Sequence, residues 1–193
     1  MNNFSDFSID INKAIETLKS GGVILCPTDT VWGLSCDATN TKAVEKLFEI
    51  KNRPQNMSMI ILIATDVTIQ QYVREVPEIA WELLEVADKP LTIVYPGAKN
   101  LAQNLIAVDG SIAIRVCKDD FCNALISKYR KPLVSTSANY SGEPTPLIFN
   151  EISEKLIETV DYVVTYNQEN TTKSQPSSVI KIGLGGEIEI IRK

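Results

Sequence analysis

The stretch from Ser111 to Asn139, SIAIRVCKDDFCNALISKYRKPLVSTSAN, sets a short apolar run on each side of a longer mixed one. SIAIRV, Ser111 to Val116, alternates with a period of two and predicts a strand. DFCNALISKYRK predicts a helix, and PLVSTSA, Pro132 to Ala138, a second strand. Strand, helix and strand in this order are the unit of an α/β sheet. In the first strand Arg115 shares a face with Ser111 and Ala113, opposite Ile112, Ile114 and Val116. It is either a surface residue or an inward anion anchor, and its small neighbours leave room for a ligand, which favours the anchor. The second strand ends in Ser135, Thr136 and Ser137, followed by Ala138 and Asn139. Small donors in a row suit a polar ligand with many oxygens; a turn that satisfies itself is the plainer alternative.

The alternation extends outward in both directions. INKAIETLK places Ile11, Ala14, Ile15 and Leu18 on one helical stripe that stops at Gly21 and Gly22. A strand from Val23 to Cys26 breaks at Pro27. Asn40 and Thr41 cap a helix with Val44, Leu47 and Phe48 inside, ending before Pro54. Met59 to Ala64 and Leu91 to Tyr95 read as strands, and between them Pro77 opens a helix with Ile79, Leu83, Leu84 and Val86 on its apolar side. Glu151 to Val160 reads as a helix feeding a strand from Asp161 to Tyr166. Two final strands, SVIKI and EIEIIR, flank Gly183 to Gly186 as a hairpin. The expectation is a mixed α/β sheet covered by helices, forming one domain over residues 1–193. There is no internal repeat or long linker, and Asn167 to Ser178 reads as a polar loop.

Composition narrows the classes. The 193 residues carry a net charge of −5, which argues against broad nucleic-acid binding and leaves a local basic patch open. No apolar run approaches the ~18 residues of a membrane span, and the polar, acidic N-terminus does not read as a signal peptide, so a cytoplasmic location is expected. Cys26, Cys36, Cys117 and Cys122 form no CxxC pair and read as reduced structural thiols. Histidine is absent, which excludes a Ser–His nucleophile. Gly183 to Gly186 lacks the spacing and the following helix of a nucleotide loop, and no Walker motif occurs.

Two further segments carry candidate chemistry. Pro27 to Gly33, PTDTVWG, leaves a strand and is either a self-satisfied turn or a ligand lip at the strand's end. Lys51 and Arg53 in KNRP follow a helix; they complement its negative end or clamp phosphate.

In order, PTDTVWGL, KNRP, IAIRV, VSTSAN with SGEP, and PSSV followed by Ile191-Arg192 make the chain resemble the YrdC-like family of threonylcarbamoyl-AMP synthases, in its short single-domain form. The family's KxR and SxN pairs match Lys51/Arg53 and Ser137/Asn139, the residues the resemblance marks as catalytic. Asp29 and Trp32 stand where the family more often has Glu and Tyr. The resemblance implies a twisted mixed open sheet flanked by helices around a concave cationic cleft. It implies condensation of L-threonine, bicarbonate and ATP into L-threonylcarbamoyl-AMP with release of pyrophosphate. Partner proteins would then move the group to a tRNA adenosine beside the anticodon; a weak contact of tRNA with this chain stays open. Thr28, Ile60, Arg115, Ser135 and Ser177 resemble the threonine-holding positions. Lys51, Gln55, Ser111, Ser137, Thr145 and Arg192 resemble the ATP-contacting set. Mg²⁺ is expected with ATP, held by phosphates and water rather than by protein side chains, and the polar loop before Ser177 is the expected lid.

This chemistry needs no histidine. The carbamate of threonine is already an anion, so its attack on the α-phosphorus calls for alignment and charge neutralisation rather than a base. The alternative is a non-catalytic RNA- or nucleotide-binding module with the same cleft. A domain detached from a carbamoyl-transferring maturation factor is disfavoured, because the chain has no length or cysteine pairs for such a factor's other segments.

Overall fold

A computed structural model describes residues 7–54 and 59–193. The chain runs α1 (Ser8–Lys19), β1 (Ile24–Cys26), β2 (Gly33–Asp37), α2 (Thr41–Ile50), β3 (Ile60–Ile63), α3 (Ile69–Tyr72), α4 (Glu78–Val86), β4 (Leu91–Tyr95), β5 (Ile112–Val116), α5 (Asp120–Tyr129), β6 (Leu133–Ser137), α6 (Glu154–Ile157), β7 (Tyr162–Val163), β8 (Ser178–Ile182) and β9 (Ile188–Arg192). These strands form one twisted mixed sheet in the order β7-β1-β2-β6-β3-β5-β4-β8-β9. Three parallel pairs (β1–β7, β3–β5, β4–β8) are set among five antiparallel ones, three of them consecutive from β1 to β3. The expected α/β sheet of mixed direction is what forms.

Register decides what each face carries, because cross-strand partners point the same way. Gly33 pairs with Ser137, Ile60 with both Ser135 and Ala113, and Arg115 with Thr92, which in turn pairs with Val179. That face is therefore small and polar at its centre. The opposite face carries Leu34, Cys36, Ile61, Ile63, Ile93, Ile112, Ile114 and Val134, all buried. Against the sheet α1 packs on β1, β2 and β7, α2 on β2, and α5 on β3. The stripe of Ile11, Ala14, Ile15 and Leu18 is buried as its spacing predicts. Asn40 caps α2 through its side chain, accepting from the Lys42 and Ala43 N–H groups.

Four expectations change. No strand is expected between Pro27 and Asn40; β2 is a fully buried strand there, between β1 and β6. Glu151 to Val160 is not one helix: Ser153 is extended and separates a 3₁₀ turn from the four residues of α6. Of Asp161 to Tyr166 only Tyr162 and Val163 pair as strand, because Thr165 and Tyr166 turn to donate to the buried Asp10 carboxylate. In α4 the inward residue is Ala80, whereas Val86 ends the helix 74% exposed. Among the described residues no helix is long and apolar enough to cross a membrane.

Candidate active site

The small polar face of the sheet floors a cavity of about 360 Å³. Its lining includes Thr28, Ile60, Arg115, Ser135, Ser137, Thr145, Ser177, Arg192 and Arg53 from the expected set, together with Val31, Trp32, Gly33, Met59, Val94, Ala113 and Val179. Arg53, Arg115 and Arg192 are its charged lining side chains. Segments far apart in sequence thus meet around one hollow, because β2, β6, β3, β5, β4 and β8 are consecutive neighbours in the sheet.

The turn reading of Pro27 to Gly33 is what forms. Thr28 Oγ1 donates to the Val31 carbonyl at 2.7 Å and accepts from the Thr30 N–H at 3.1 Å, closing a hydroxyl turn. The same turn forms the cavity's lip. Beside it, Asn167, Asn170, Thr172 and Ser174 of the polar loop share a small hollow with Thr28, Thr30 and Trp32.

α2 ends at Lys51, and Asn52 follows with φ 49°, a left-handed conformation that Asn tolerates. The turn brings the Arg53 N–H to the Phe48 carbonyl at 3.0 Å and separates the two cations. Arg53 lines the cavity, whereas Lys51 is 1% exposed and does not. Lys51 Nζ donates to the Ser137 and Asn139 carbonyls, both at 2.6 Å, with Asn139 Oδ1 at 3.4 Å. The KxR and SxN pairs are therefore in direct contact. Burial, with the Arg53 charge adding and Glu143 opposing, brings the Lys51 ammonium down to about 8.

Arg115 is buried at the cavity wall and pairs with Asp29, Nη2 to Oδ1 at 3.0 Å, with both side chains under 10% exposed. Its Nε and Asp29 Oδ2 are buried without a hydrogen-bond partner among the described residues. On the far wall, Arg192 Nε and Nη2 fork onto the Ser177 carbonyl at 2.9 and 2.8 Å, and the Ser177 hydroxyl meets Thr92 Oγ1 at 2.8 Å. Burial and the Arg115 charge both lower the Arg192 pKa, so the two guanidiniums sense each other across the hollow.

Besides Lys51, two expected residues stand apart from the lining. Ser111 is buried, and its hydroxyl donates to Asp109 at 2.6 Å. Asn139 lies behind Ser137, whose Oγ donates to Asn139 Oδ1 at 2.5 Å. Gln55 lies outside the described residues.

The family model for Sua5, YciO and YrdC, described as "Telomere recombination", matches residues 16–193. The chain belongs to this family. A threonylcarbamoyl-AMP synthase of Pseudoalteromonas translucida is 35% identical over 92% of the chain and 95% of its own length. P. abyssi Sua5 complexed with L-threonine superposes with a TM-score of 0.80 at 26% identity, over 90% of this chain and about half (51%) of that one. E. coli YciO superposes with a TM-score of 0.82 over 96% of this chain and 89% of its own; at 24% identity it bears on the fold. The family assignment agrees with the resemblance carried by the five motifs.

Sequence reasoning gave neither Asp29 nor Gly33 its place beside the site. Asp29 had a signal: an arginine turned inward needs a buried counter-charge, and Asp29 is the carboxylate in the lip segment. Gly33 had none, since its role depends on β2 lying against Ser135.

Proposed function

We propose that this chain is a threonylcarbamoyl-AMP synthase, joining L-threonine, bicarbonate and ATP for tRNA modification in the cytoplasm. The observation that carries the reading is the meeting of the KxR and SxN pairs beside a cavity lined by three arginines. Threonine's carboxylate would lie on Arg115, whose orphaned Nε leaves a donor for it, with Thr28, Ser135 and Ser177 around it. The amine adds to bicarbonate with loss of water, giving a carbamate anion. A carbamate oxygen then forms the new bond to the α-phosphorus as the bond to pyrophosphate breaks. Arg53 and Arg192 would carry the phosphate charge and Ser137 and Thr145 orient it, so catalysis is by positioning and preorganised charge.

Mg²⁺ would enter on the triphosphate and add charge neutralisation there. The lining offers hydroxyls and guanidiniums, and among the described residues no group of three His, Cys, Asp or Glu is placed to hold a metal. The polar loop that borders the lip is the segment proposed to shield the carbamate from water. Transfer of the product to tRNA would fall to separate proteins. The test is pyrophosphate release that requires threonine, bicarbonate and ATP together. Nucleotide binding without that release would make the chain a binding module instead.

A further inference from the structure

The lip turn gives its hydroxyl residues to the cavity and its carboxylate to the protein. Thr28 and Thr30 line the cavity; Asp29, between them, does not, and its side chain is 8% exposed. One of its oxygens carries two donors: Oδ1 accepts from Arg115 Nη2 at 3.0 Å and from Cys117 Sγ at 3.4 Å. Arg115 lies on β5, and Cys117, just past its end, is fixed by its own N–H on the Ile63 carbonyl at 2.9 Å. Beside the carboxylate stands a like charge, Asp119, which caps α5 and is pushed up by burial and then by Asp29. A guanidinium and a carboxylate frequently meet through two parallel bonds. Here the second bond is unmade, because Arg115 Nε and Asp29 Oδ2 are both buried without a partner among the described residues.

We infer that Asp29 is a positioning residue for threonine: it touches no substrate, and it holds the Arg115 guanidinium by one nitrogen in the direction that leaves Nε for the substrate's carboxylate. It also ties the lip that carries Thr28 to the strand that carries Arg115, so the two proposed threonine contacts keep their spacing. The inference deepens the synthase reading and rests on its placing of threonine on Arg115. Two roles for a buried counter-charge predict opposite signs. If Asp29 only offset the charge of Arg115, its removal would leave a bare guanidinium that draws the carboxylate more strongly, and threonine would bind tighter. With Asp29 setting the direction, the freed side chain spreads over several rotamers, and threonine binds more weakly because that freedom is lost again on binding.

Calorimetric titration of L-threonine into the full chain, with a non-hydrolysable ATP analogue present, separates the two. Asp29→Ala should weaken threonine about tenfold, and Asp29→Asn, whose amide oxygen can still accept from Arg115, about threefold. Unchanged or tighter binding overturns the inference, and Asp29→Asn decides it should Asp29→Ala fail to fold. In an Arg115→Ala background either change should move threonine affinity by less than about twofold. There Asp29→Asn should also raise the urea midpoint, because it removes a buried charge that has lost its partner. A further loss as large as in the wild-type background overturns the inference, since Asp29 would then act without Arg115. In turnover, KM for threonine should rise by the same factors, with KM for ATP and kcat at saturating threonine within about twofold. A fall confined to kcat overturns it. A wild-type chain that binds threonine yet releases no pyrophosphate removes the synthase reading alone, while the binding comparison still decides the role of Asp29; one that binds no threonine overturns both.

Discussion

At Gly33 a Cβ would stand 2.8 Å from Ser135 Oγ and 3.3 Å from the Thr136 carbonyl, with Thr28 Cγ2 at 3.6 Å. The nearest obstacle is a short side chain that can rotate away, so Gly33→Ala should leave the fold nearly intact and misplace the serine. Turnover should fall at least about tenfold while the melting temperature moves by only a few degrees, read by pyrophosphate release and calorimetry. Arg115 tests the opposite balance. Arg115→Ala removes the proposed carboxylate anchor and should raise KM for threonine by about 10- to 100-fold with KM for ATP little changed. A rise confined to ATP would reassign the residue. The same variant leaves Asp29 buried without its partner, so a stability loss of about 3–5 kcal/mol by urea unfolding should accompany it. At this scale the sequence was informative wherever periodicity fixed a direction: alternation set Arg115 on the face of Ser111 and Ala113, and those small neighbours favoured the inward reading over the surface one. Lys51 could not be read so, because its inward course follows from the left-handed turn at Asn52 and from a partner 86 residues away.

Among the elements, those with strong local signals were legible. α2 combined an N-cap, an apolar stripe and a stop before Pro54, and it forms where those predict. Its cap supports a modest prediction: Asn40→Ala exposes the first-turn N–H groups and should cost about 1 kcal/mol in urea unfolding. β2 was illegible for a physical reason. GLSCD has no β-branched or aromatic residue to mark it as strand, and what makes it one is the presence of β1 and β6 on its two sides. The reverse error fell at Glu151 to Val160, where helical periodicity was real but the extended Ser153 divides the run. The site's floor depends on the strand that local reasoning could not see.

For the whole molecule, protonation sets the range of pH in which the fold is most stable. Burial alone would raise Asp10, but hydrogen bonds from Tyr162, Thr165 and Tyr166 outweigh it and lower its pKa below 3.8. Asp37 likewise is lowered despite burial, by Lys131, Thr39 and Tyr129. Stability from both is present above the unfolded value of 3.8 and is lost as pH falls through the lower folded values, so the urea midpoint should drop in acid. Lys51 shifts in the same direction but as a cost at neutral pH: its folded value near 8 lies below the unfolded 10.5, so the unfolded chain binds more protons between them and stability rises across that interval. Tyr95, Tyr129 and Tyr162 are raised by burial, the last two also by Asp37 and Asp10, so their neutral forms favour folding up to about 10 and stability declines beyond it. Cys36, by burial, and Cys122, by hydrogen bonds with Cys117 and Cys26 and by burial, are raised above the ordinary 9.0, so stability already declines from about 9, and the chain should be firmest between about pH 8 and 9, a maximum that urea midpoints across pH would expose. The sheet order has a temporal corollary. Thr28 leaves the ribosome more than 160 positions ahead of Arg192, which holds Ser177 in place. A nascent polypeptide therefore cannot complete the cavity's wall before the β8–β9 hairpin has emerged to lie against β4.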